Sequence, residues 1–297
     1  MKKRKGIILA GGSGTRLHPS TIAVSKQLMP VFDKPMIYYP ISVLMSAGIN
    51  EILIITTPHD MSSFKKLLGT GSQFGVKFTF AIQPRPDGLA QALIIAEEFL
   101  DGGPSILILG DNLFFGQQVK EKIEEATKRN SGATVFGYKV KKPGDYGVVC
   151  FDKNNNVVSI VEKPAQPESN YAVTGLYVYD GNASAFAKEV KPSARGEVEI
   201  TELNNIYLKR GELTVELFST QTTWLDTGTH RSLLKAAQYV SVIEERQGIR
   251  VCCPEVIAFE QGWIDKKELL KIAKPLEKSG YGSYLAKYAS QDHLSQP

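Results

Sequence analysis

The amino-acid sequence predicts an α/β fold in three layers, with helices covering both faces of a mixed central sheet. Two observations lead to this prediction. Through the first half of the chain, short apolar runs alternate with amphipathic stretches, which is typical of parallel strands connected by helices. From about residue 132 the apolar runs follow one another closely and are separated by polar turns. This change predicts a mixed extension of the same sheet.

The predicted elements follow one another in a regular order. In the first half, strands are predicted at KGIILA, EILIITT, VKFTFAI and SILILG, and helices at 36–47, 60–68, 89–100 and 117–129. In the second half, strands are predicted at ATVFGYKV, YGVVCFD, VVSIVEK and YAVTGLYVYD, then a helix at 199–210, a strand at 213–218, a long helix at 229–247 and short helices beyond about 254. No repeat or Pro/Gly-rich linker interrupts this order. We therefore expect one large domain over 1–250 and a C-terminal helical appendage with a polar tail over 251–297.

Composition excludes several classes of protein. The 297 residues are 42% hydrophobic and 22% charged, which is ordinary for a globular protein, and the net charge of +4 is too small for a general nucleic-acid surface. No stretch approaches the roughly 20 apolar residues of a membrane helix, so we expect no membrane partner. Cys150, Cys252 and Cys253 form neither an even disulfide framework nor a CxxC motif. These thiols fit a reducing compartment, and we expect a cytoplasmic protein.

A glycine-rich loop follows the first predicted strand. In the run GGSGTR, Gly11, Gly12 and Gly14 leave the backbone N–H groups free to approach a phosphate closely, although glycine also serves ordinary turns. The run matches neither the GxGxxG nor the Walker A pattern. Arg16 inside the loop and Lys26 shortly after it could neutralise a triphosphate or could be two solvated surface cations. Together these features indicate a nucleotide site at the end of the first strand.

The run GIILAGGSGTRLHPSTIAVSKQLMPVFDKPMIYYP resembles the signature of the sugar nucleotidylyltransferase family. Further matches follow in order along nearly the whole chain, at QPRPDGLAQA, LGDNLFFG, GDYGVV, VEKP, NYAVTGLYVYD, RGEVEITELNNIYL and WLDTGT. The resemblance implies a Rossmann-like domain in which 1–130 mainly bind the nucleotide and 131–228 mainly bind a sugar phosphate. It also implies the activity, in which dTTP and glucose 1-phosphate give dTDP-glucose and pyrophosphate.

Two aspartates are candidate ligands of Mg²⁺. Asp111 directly follows SILILG and Asp226 lies in WLDTGTH, and magnesium is usually held by one or two carboxylates together with phosphates and water. Either residue alone could simply cap a loop, but the resemblance implies that both bind the metal. No general base is required, because the attacking oxygen of a sugar phosphate is already anionic near neutral pH. The expected chemistry is in-line attack on the α-phosphorus, catalysed by positioning and charge neutralisation.

The resemblance also assigns the remaining site residues. Those implied in catalysis are Arg16, Lys26 and Lys163. Those implied in nucleotide binding are Leu9, Gly11, Gly12, Gly14, Thr15, Gln27, Gln83, Gly88 and Asp111. Those implied in sugar binding are Tyr146, Gly147, Glu162, Asn170, Val173 and Arg195. Gln83 is expected to read the pyrimidine edge with its amide donor and acceptor, Glu162 to accept sugar hydroxyls, and Lys163 to hold the anomeric phosphate.

Alternative functions remain open from the sequence. The same chemistry with UTP or another sugar 1-phosphate differs in pocket shape alone, and one methyl group is discriminated by about 1–3 kcal/mol. A non-catalytic paralogue that binds a nucleotide sugar would not need the metal pair Asp111 and Asp226 together with the three cations. The resemblance further implies a homotetramer and feedback inhibition by a dTDP-sugar at an interface that includes FFGQQVKEK and the C-terminal helices.

Overall fold

The computed structural model describes residues 2–12 and 14–291. Ser13 of the glycine loop and the end of the predicted polar tail, 292–297, lie outside the described residues. In the described part, the strands are β1 (Lys5–Ala10), β2 (Pro30–Val31), β3 (Lys34–Pro35), β4 (Glu51–Thr56), β5 (Lys77–Ile82), β6 (Ser105–Leu109), β7 (Asn112–Phe115), β8 (Ala133–Lys139), β9 (Gly147–Phe151), β10 (Val157–Glu162), β11 (Tyr171–Tyr179), β12 (Leu213–Leu217) and β13 (Thr223–Asp226). The helices are α1 (Tyr38–Ser46), α2 (Met61–Leu68), α3 (Gln91–Ile95), α4 (Glu97–Leu100), α5 (Gln117–Thr127), α6 (Ala183–Glu189), α7 (Ile200–Lys209), α8 (His230–Gln247), α9 (Pro254–Glu260), α10 (Lys266–Ala273) and α11 (Gly280–Ser290).

The central sheet is mixed, as the sequence predicts. Its main strand order is β10-β9-β11-β6-β1-β4-β5, with β8 paired to β11 and β12 paired to β8. Strand β1 runs parallel to β4 and β6, and β4 runs parallel to β5. Strand β11 runs antiparallel to β6, β8 and β9, which converts the parallel half into the mixed extension. The carboxyl ends of β1, β4, β5 and β6 therefore meet at one edge of the sheet, where ligands bind in such folds.

Alternate side chains of a strand point to opposite faces of the sheet. Because apolar side chains lie on both faces, helices cover both of them. Ile8 of β1 belongs to a hydrophobic core that includes Ile41 of α1 and Leu269 of α10. The neighbouring Ile7 belongs to a second core that includes Leu93 of α3. The C-terminal helices thus share a core with α1, while the domain boundary at residue 250 stays a prediction. Among the described residues, no helix is long and apolar enough to cross a membrane.

The structure contains elements that the sequence pattern did not predict. Strands β7 and β13 form a separate two-stranded ribbon in which Asn112 pairs with Asp226. Strands β2 and β3 form a short hairpin, and α6 follows β11. The helix predicted over 89–100 is two short helices, α3 and α4, separated at Ala96. The ribbon matters most for function, because it brings the two candidate metal ligands into neighbouring positions.

A buried group of charges attaches the β2–β3 hairpin to the end of α8. The side chains of Lys34 and Glu244 are 2% and 1% exposed, and Lys34 Nζ lies 3.1 Å from Glu244 Oε1. Glu244 also accepts hydrogen bonds from Arg250 and, at 2.9 Å, from the backbone of Val251. Lys34 has a second partner in Asp33, at 2.5 Å. The network therefore anchors the helix whose other end reaches the functional cleft described below.

We predict that Glu244→Gln lowers the free energy of unfolding by about 3 kcal/mol, because Asp33 alone would then offset the charges of Lys34 and Arg250. Urea unfolding at neutral pH measures the change. Lys188→Gln is the control, since Lys188 and Glu97 form a pair whose side chains are 49% and 51% exposed. Its loss should be below about 1 kcal/mol. Equal, small losses in both variants would contradict the assigned role of the buried network.

Candidate active site

A cleft of about 960 Å³ opens at the carboxyl ends of β1, β5 and β6. Leu9 and Gly12 reach it from β1 and the loop that follows, Gln83 from the end of β5, and Asp111 from the end of β6. The apolar run of each strand stops where the sheet meets solvent, and small or polar residues such as Gly12, Gln83 and Asp111 follow. This edge of the sheet is therefore the candidate active site.

The cleft brings together most of the residues predicted from the sequence. The predicted residues that line it are Leu9, Gly12, Gly14, Thr15, Arg16, Lys26, Gln27, Gln83, Gly88, Asp111, Tyr146, Gly147, Glu162, Lys163, Val173 and Asp226. Three predicted residues lie outside its lining. Gly11 lies against Gln83 Oε1, Asn170 is exposed and its carbonyl accepts from the Val140 amide at 2.9 Å, and Arg195 lines an adjoining pocket of about 700 Å³. Their predicted roles stay predictions.

The glycine loop directs Arg16 into the cleft. Gly14 adopts a left-handed conformation with φ of 62°, and its carbonyl accepts from Thr21 Oγ1 at 2.7 Å. A 3₁₀ turn over Thr15–Leu17 follows and buries Leu17 completely, which turns the intervening Arg16 outward. Its guanidinium lies beside Gly228, where a Cβ atom would be 3.1 Å from Arg16 Nη2. The loop thus presents a cation next to the segment that carries Asp226.

A largely buried ion pair lines the cleft. Lys26 and Asp111 form a salt bridge in which their side chains are 8% and 19% exposed. Asn112 Nδ2 donates to Asp111 Oδ1 at 2.9 Å, and Asn112 Oδ1 accepts from Trp224 Nε1 at 2.6 Å and from the Gly175 amide at 3.2 Å. Asn112 therefore fixes the carboxylate of Asp111 and connects β7 to β11 and β13. Sequence reasoning missed Asn112, although it directly follows Asp111.

The two carboxylates of the cleft have opposite pKa shifts. Burial alone would raise the pKa of Asp111, but the charge and hydrogen bond of Lys26, together with the Asn112 amide, hold it below the usual value. Burial, and then the negative charge of Asp111, raise the pKa of Asp226 to about 6. Ionising both groups therefore places two anions in one partly buried site, and a divalent cation would relieve that repulsion. The donor set fits a magnesium site completed by phosphates and water.

The second half of the cleft is built by β9, β10 and α7. Glu162 Oε2 accepts from Thr201 Oγ1 at 2.6 Å, and Glu162 Oε1 lies 3.7 Å from Lys163 Nζ. Lys163 has a positive φ of 43°, a strained conformation for a residue with a side chain, and its amide donates to the carbonyl of Tyr146 at 3.0 Å. The strain turns the chain sharply at the end of β10. A carboxylate and a cation consequently lie side by side in this half of the cleft.

The loop after β5 forms a third wall. Gln83 is 3% exposed, and its Nε2 donates to Gln91 Oε1 at 2.7 Å and to the carbonyl of Gly88 at 3.4 Å. Gly88 has a φ of 112°, and a Cβ atom there would overlap the backbone of Val198. Both the positive φ and the contact with Val198 thus disfavour any residue other than glycine at this position. Gln27 is also buried, and its Oε1 accepts from Ser25 Oγ at 2.9 Å.

Several residues that line the cleft were not predicted from the sequence. They include Asn112, Tyr177, Glu199, Thr201 and Trp224. Each lies inside a motif quoted above, but the sequence alone assigned none of them a role. The described residues contain no group of three or more His, Cys, Asp or Glu side chains arranged to hold a metal ion.

Comparisons with known proteins identify the family of this chain. The family model described as Nucleotidyl transferase matches residues 5–242. A glucose-1-phosphate thymidylyltransferase from Xanthomonas campestris pv. campestris is 57% identical over 98% of this chain and 99% of its own length. One with the same name from Neisseria gonorrhoeae is 56% identical over 95% of this chain and 98% of its own.

Solved structures share the fold. A Bacillus anthracis protein assigned as a glucose-1-phosphate thymidylyltransferase, solved in complex with a sucrose, is 44% identical, with a TM-score of 0.75 over 80% of this chain and 95% of that one. A UDP-glucose pyrophosphorylase complexed with UDP-glucose is 24% identical, with a TM-score of 0.71 over 82% of this chain and 100% of that one. The second likeness concerns the fold alone.

We predict that Asp226→Asn stabilises the metal-free protein at neutral pH. A carboxyl whose pKa is raised from an ordinary value near 4 to about 6 opposes folding above pH 6, and this effect disappears below pH 4. The variant should exceed the parent in free energy of unfolding by up to about 3 kcal/mol at high pH, and the two should converge in acid. Urea unfolding across this pH range, with a chelator present, measures the difference.

Asp111→Asn is the matched control. The pKa of Asp111 is lowered in the folded protein, so its ionised form stabilises the fold above its unfolded pKa and that stabilisation is lost as the pH falls. The control variant should therefore be less stable than the parent at neutral pH. Destabilisation of the same size in both variants would be inconsistent with the electrostatics described for this site.

Proposed function

Because the chain belongs to the nucleotidyl transferase family, we propose that it catalyses the reaction after which its relatives are named. In that reaction dTTP and glucose 1-phosphate give dTDP-glucose and pyrophosphate. The observation that carries the proposal is that one cleft joins a glycine loop and a Lys26–Asp111 pair to Glu162 and Lys163. A triphosphate and a sugar phosphate can therefore meet within it.

The residues of the cleft suggest a division of work. The glycine loop and Arg16 would bind the triphosphate, with Arg16 stabilising charge that develops at the α-phosphorus. Lys163 would hold the phosphate of the sugar, and Glu162 would accept hydrogen bonds from its hydroxyls. The sugar-phosphate oxygen attacks the α-phosphorus, and the bond to the bridging oxygen of pyrophosphate breaks. The attacking oxygen carries no proton near neutral pH, so the cleft needs no general base.

We propose Mg²⁺ as the cofactor, held by Asp111 and Asp226. Their proximity across the β7–β13 ribbon, with Asp226 opposite the residue after Asp111, supports this assignment. When bound, the ion would neutralise phosphate charge and join the two substrates. Lys26 then balances the charge of Asp111, and Asn112 maintains its orientation.

We also propose a cytoplasmic homotetramer with a dTDP-sugar feedback inhibitor at an interface that includes 114–122 and the C-terminal helices. Helix α8 supports self-association, because Leu234 and Val242 are 59% and 56% exposed on it. The free thiols of Cys150, Cys252 and Cys253 suit a reducing compartment.

The proposed function predicts a specific pattern of pyrophosphate release. With glucose 1-phosphate, the rate should be highest with dTTP in a panel that includes UTP, dCTP and dATP, and a chelator should abolish it until Mg²⁺ is restored. Preference for UTP, or for another sugar 1-phosphate, would keep the chemistry and change the substrate assignment. Binding of dTDP-glucose without any release of pyrophosphate would instead identify a non-catalytic paralogue.

A second prediction separates the two cations. Arg16→Ala should lower the maximal rate by about 10²–10³, the scale for loss of one preorganised charge-stabilising donor, with little change in the Michaelis constant for glucose 1-phosphate. Lys163→Ala should raise that constant strongly, because the sugar phosphate loses its cation.

Initial rates with each substrate varied in turn separate these effects. Lys209→Ala is the control, since Lys209 lines the adjoining pocket and not the cleft, and its Michaelis constants should match those of the parent. If Lys163→Ala weakens dTTP binding alone, the assignment of the two halves is wrong.

A further inference from the structure

Three polar side chains form a row behind the wall of the cleft. Gln83 Nε2 donates to Gln91 Oε1 at 2.7 Å, and Gln91 Nε2 donates to Asp87 Oδ2 at 3.2 Å. Gln83 is buried at the cleft, Gln91 begins α3, and the side chain of Asp87 is 40% exposed. The row therefore runs from the proposed nucleotide site to solvent through two amides, each of which could in principle be turned either way.

The carboxylate at the outer end fixes both amides. An ionised carboxylate only accepts hydrogen bonds, so Gln91 must direct its NH₂ group towards Asp87. The carbonyl of Gln91 then faces Gln83, which must direct its own NH₂ group outward. That NH₂ group also lies 3.4 Å from the carbonyl of Gly88, which is a second acceptor on the same side. Both N–H bonds of Gln83 are thus directed at groups of the protein.

The oxygen of Gln83 is consequently the atom left for a ligand. It lies against Gly11, where a Cβ atom would overlap Oε1, so the glycine leaves the space that this orientation requires. The loop cannot easily rearrange, because the Val198 amide donates to the carbonyl of Asp87 at 2.7 Å and the Ala90 amide donates to the carbonyl of Val198 at 3.1 Å. The expectation that Gln83 offers a ligand both a donor and an acceptor therefore reduces to the acceptor alone.

We propose that Asp87 and Gln91 are positioning residues that make Gln83 a hydrogen-bond acceptor, so that the site selects a base with an N–H group on its pairing edge. The proposal rests on the proposed function and deepens it. Thymine and uracil carry a hydrogen on N3, whereas the corresponding nitrogen of cytosine, and N1 of adenine, carry a lone pair. A lone pair would face the Gln83 oxygen unless the amide turned over. Turning both amides would place the Gln91 carbonyl against the Asp87 carboxylate, which opposes the change.

The test compares dTTP with dCTP as substrates of purified variants. Asp87→Asn preserves size but offers an NH₂ group to Gln91, so both amides can turn, and Gln91→Met removes the partner of Gln83 altogether. Each variant should reduce the ratio of kcat/KM for dTTP over dCTP by about tenfold or more, the scale for one buried hydrogen bond. The change should appear in the Michaelis constant for the nucleotide and not in that for glucose 1-phosphate.

Two further variants test orientation separately from charge. Gln91→Glu keeps an acceptor facing Gln83, so the preference for dTTP should persist although the bond to Asp87 is lost. Arg85→Gln removes an 82% exposed cation 3.9 Å from Asp87 without changing the row, and should preserve the ratio of the parent. Calorimetric binding of dTDP and dCDP to the same four variants should give the same order without turnover.

The outcomes distinguish this proposal from the proposed function. A parent protein that releases no pyrophosphate from dTTP and glucose 1-phosphate rejects the proposed function. A parent that turns over dTTP, with Asp87→Asn and Gln91→Met folded and retaining its full preference over dCTP, overturns the positioning role alone. Loss of the preference in Gln91→Glu to the same extent as in Gln91→Met would also overturn it, because orientation would then not be the cause.

Discussion

The arrangement of the cleft depends on one largely buried ion pair, between Lys26 and Asp111. It lies where β6 ends, and each partner alone would be costly to bury. Asn112 holds the carboxylate from the other side, and the same residue pairs with Asp226 across the β7–β13 ribbon. The second carboxylate therefore has a fixed place beside an anion, which explains its raised pKa. A cation bound between the two carboxylates would relieve their electrostatic repulsion.

Sequence periodicity predicted the parts of the fold that depend on local pattern. The parallel strands β1, β4 and β6 are nearly continuous apolar runs, because both of their faces are buried, and the long helix α8 follows its amphipathic repeat. The β7–β13 ribbon could not be predicted in this way. Its strands are four residues each, and they pair across more than a hundred residues of chain. Such a pairing is decided by tertiary contacts, and so is the break between α3 and α4.

In the candidate site, too, features that depend on contacts between distant residues could not be predicted from the sequence. The position of the glycine loop and of Asp111 directly after apolar strands pointed to a ligand site, whereas the resemblance to the sugar nucleotidylyltransferases was needed to single out the Glu162–Lys163 pair. Asn112 and Thr201 escaped prediction, since a buried amide or hydroxyl reveals its role through its partners. The bond from Trp224 to Asn112 spans 112 residues and the one from Thr201 to Glu162 spans 39. The charged residues of the cleft are thus easier to predict than the residues that orient them.

Two amide networks that reach the cleft illustrate why the orientation of an amide side chain matters. The amide of Asn112 lies between the acceptor carboxylate of Asp111 and the donor N–H of Trp224, so both of its ends meet groups of fixed polarity. Both partners therefore fix the orientation of the Asn112 amide, which in turn holds Asp111 in place. The row from Asp87 through Gln91 to Gln83 is fixed at one end alone. The free end faces the cleft with a polarity that the distant carboxylate sets. An amide network that is closed at both ends holds a site in shape, whereas one that is open towards the ligand can select what binds there.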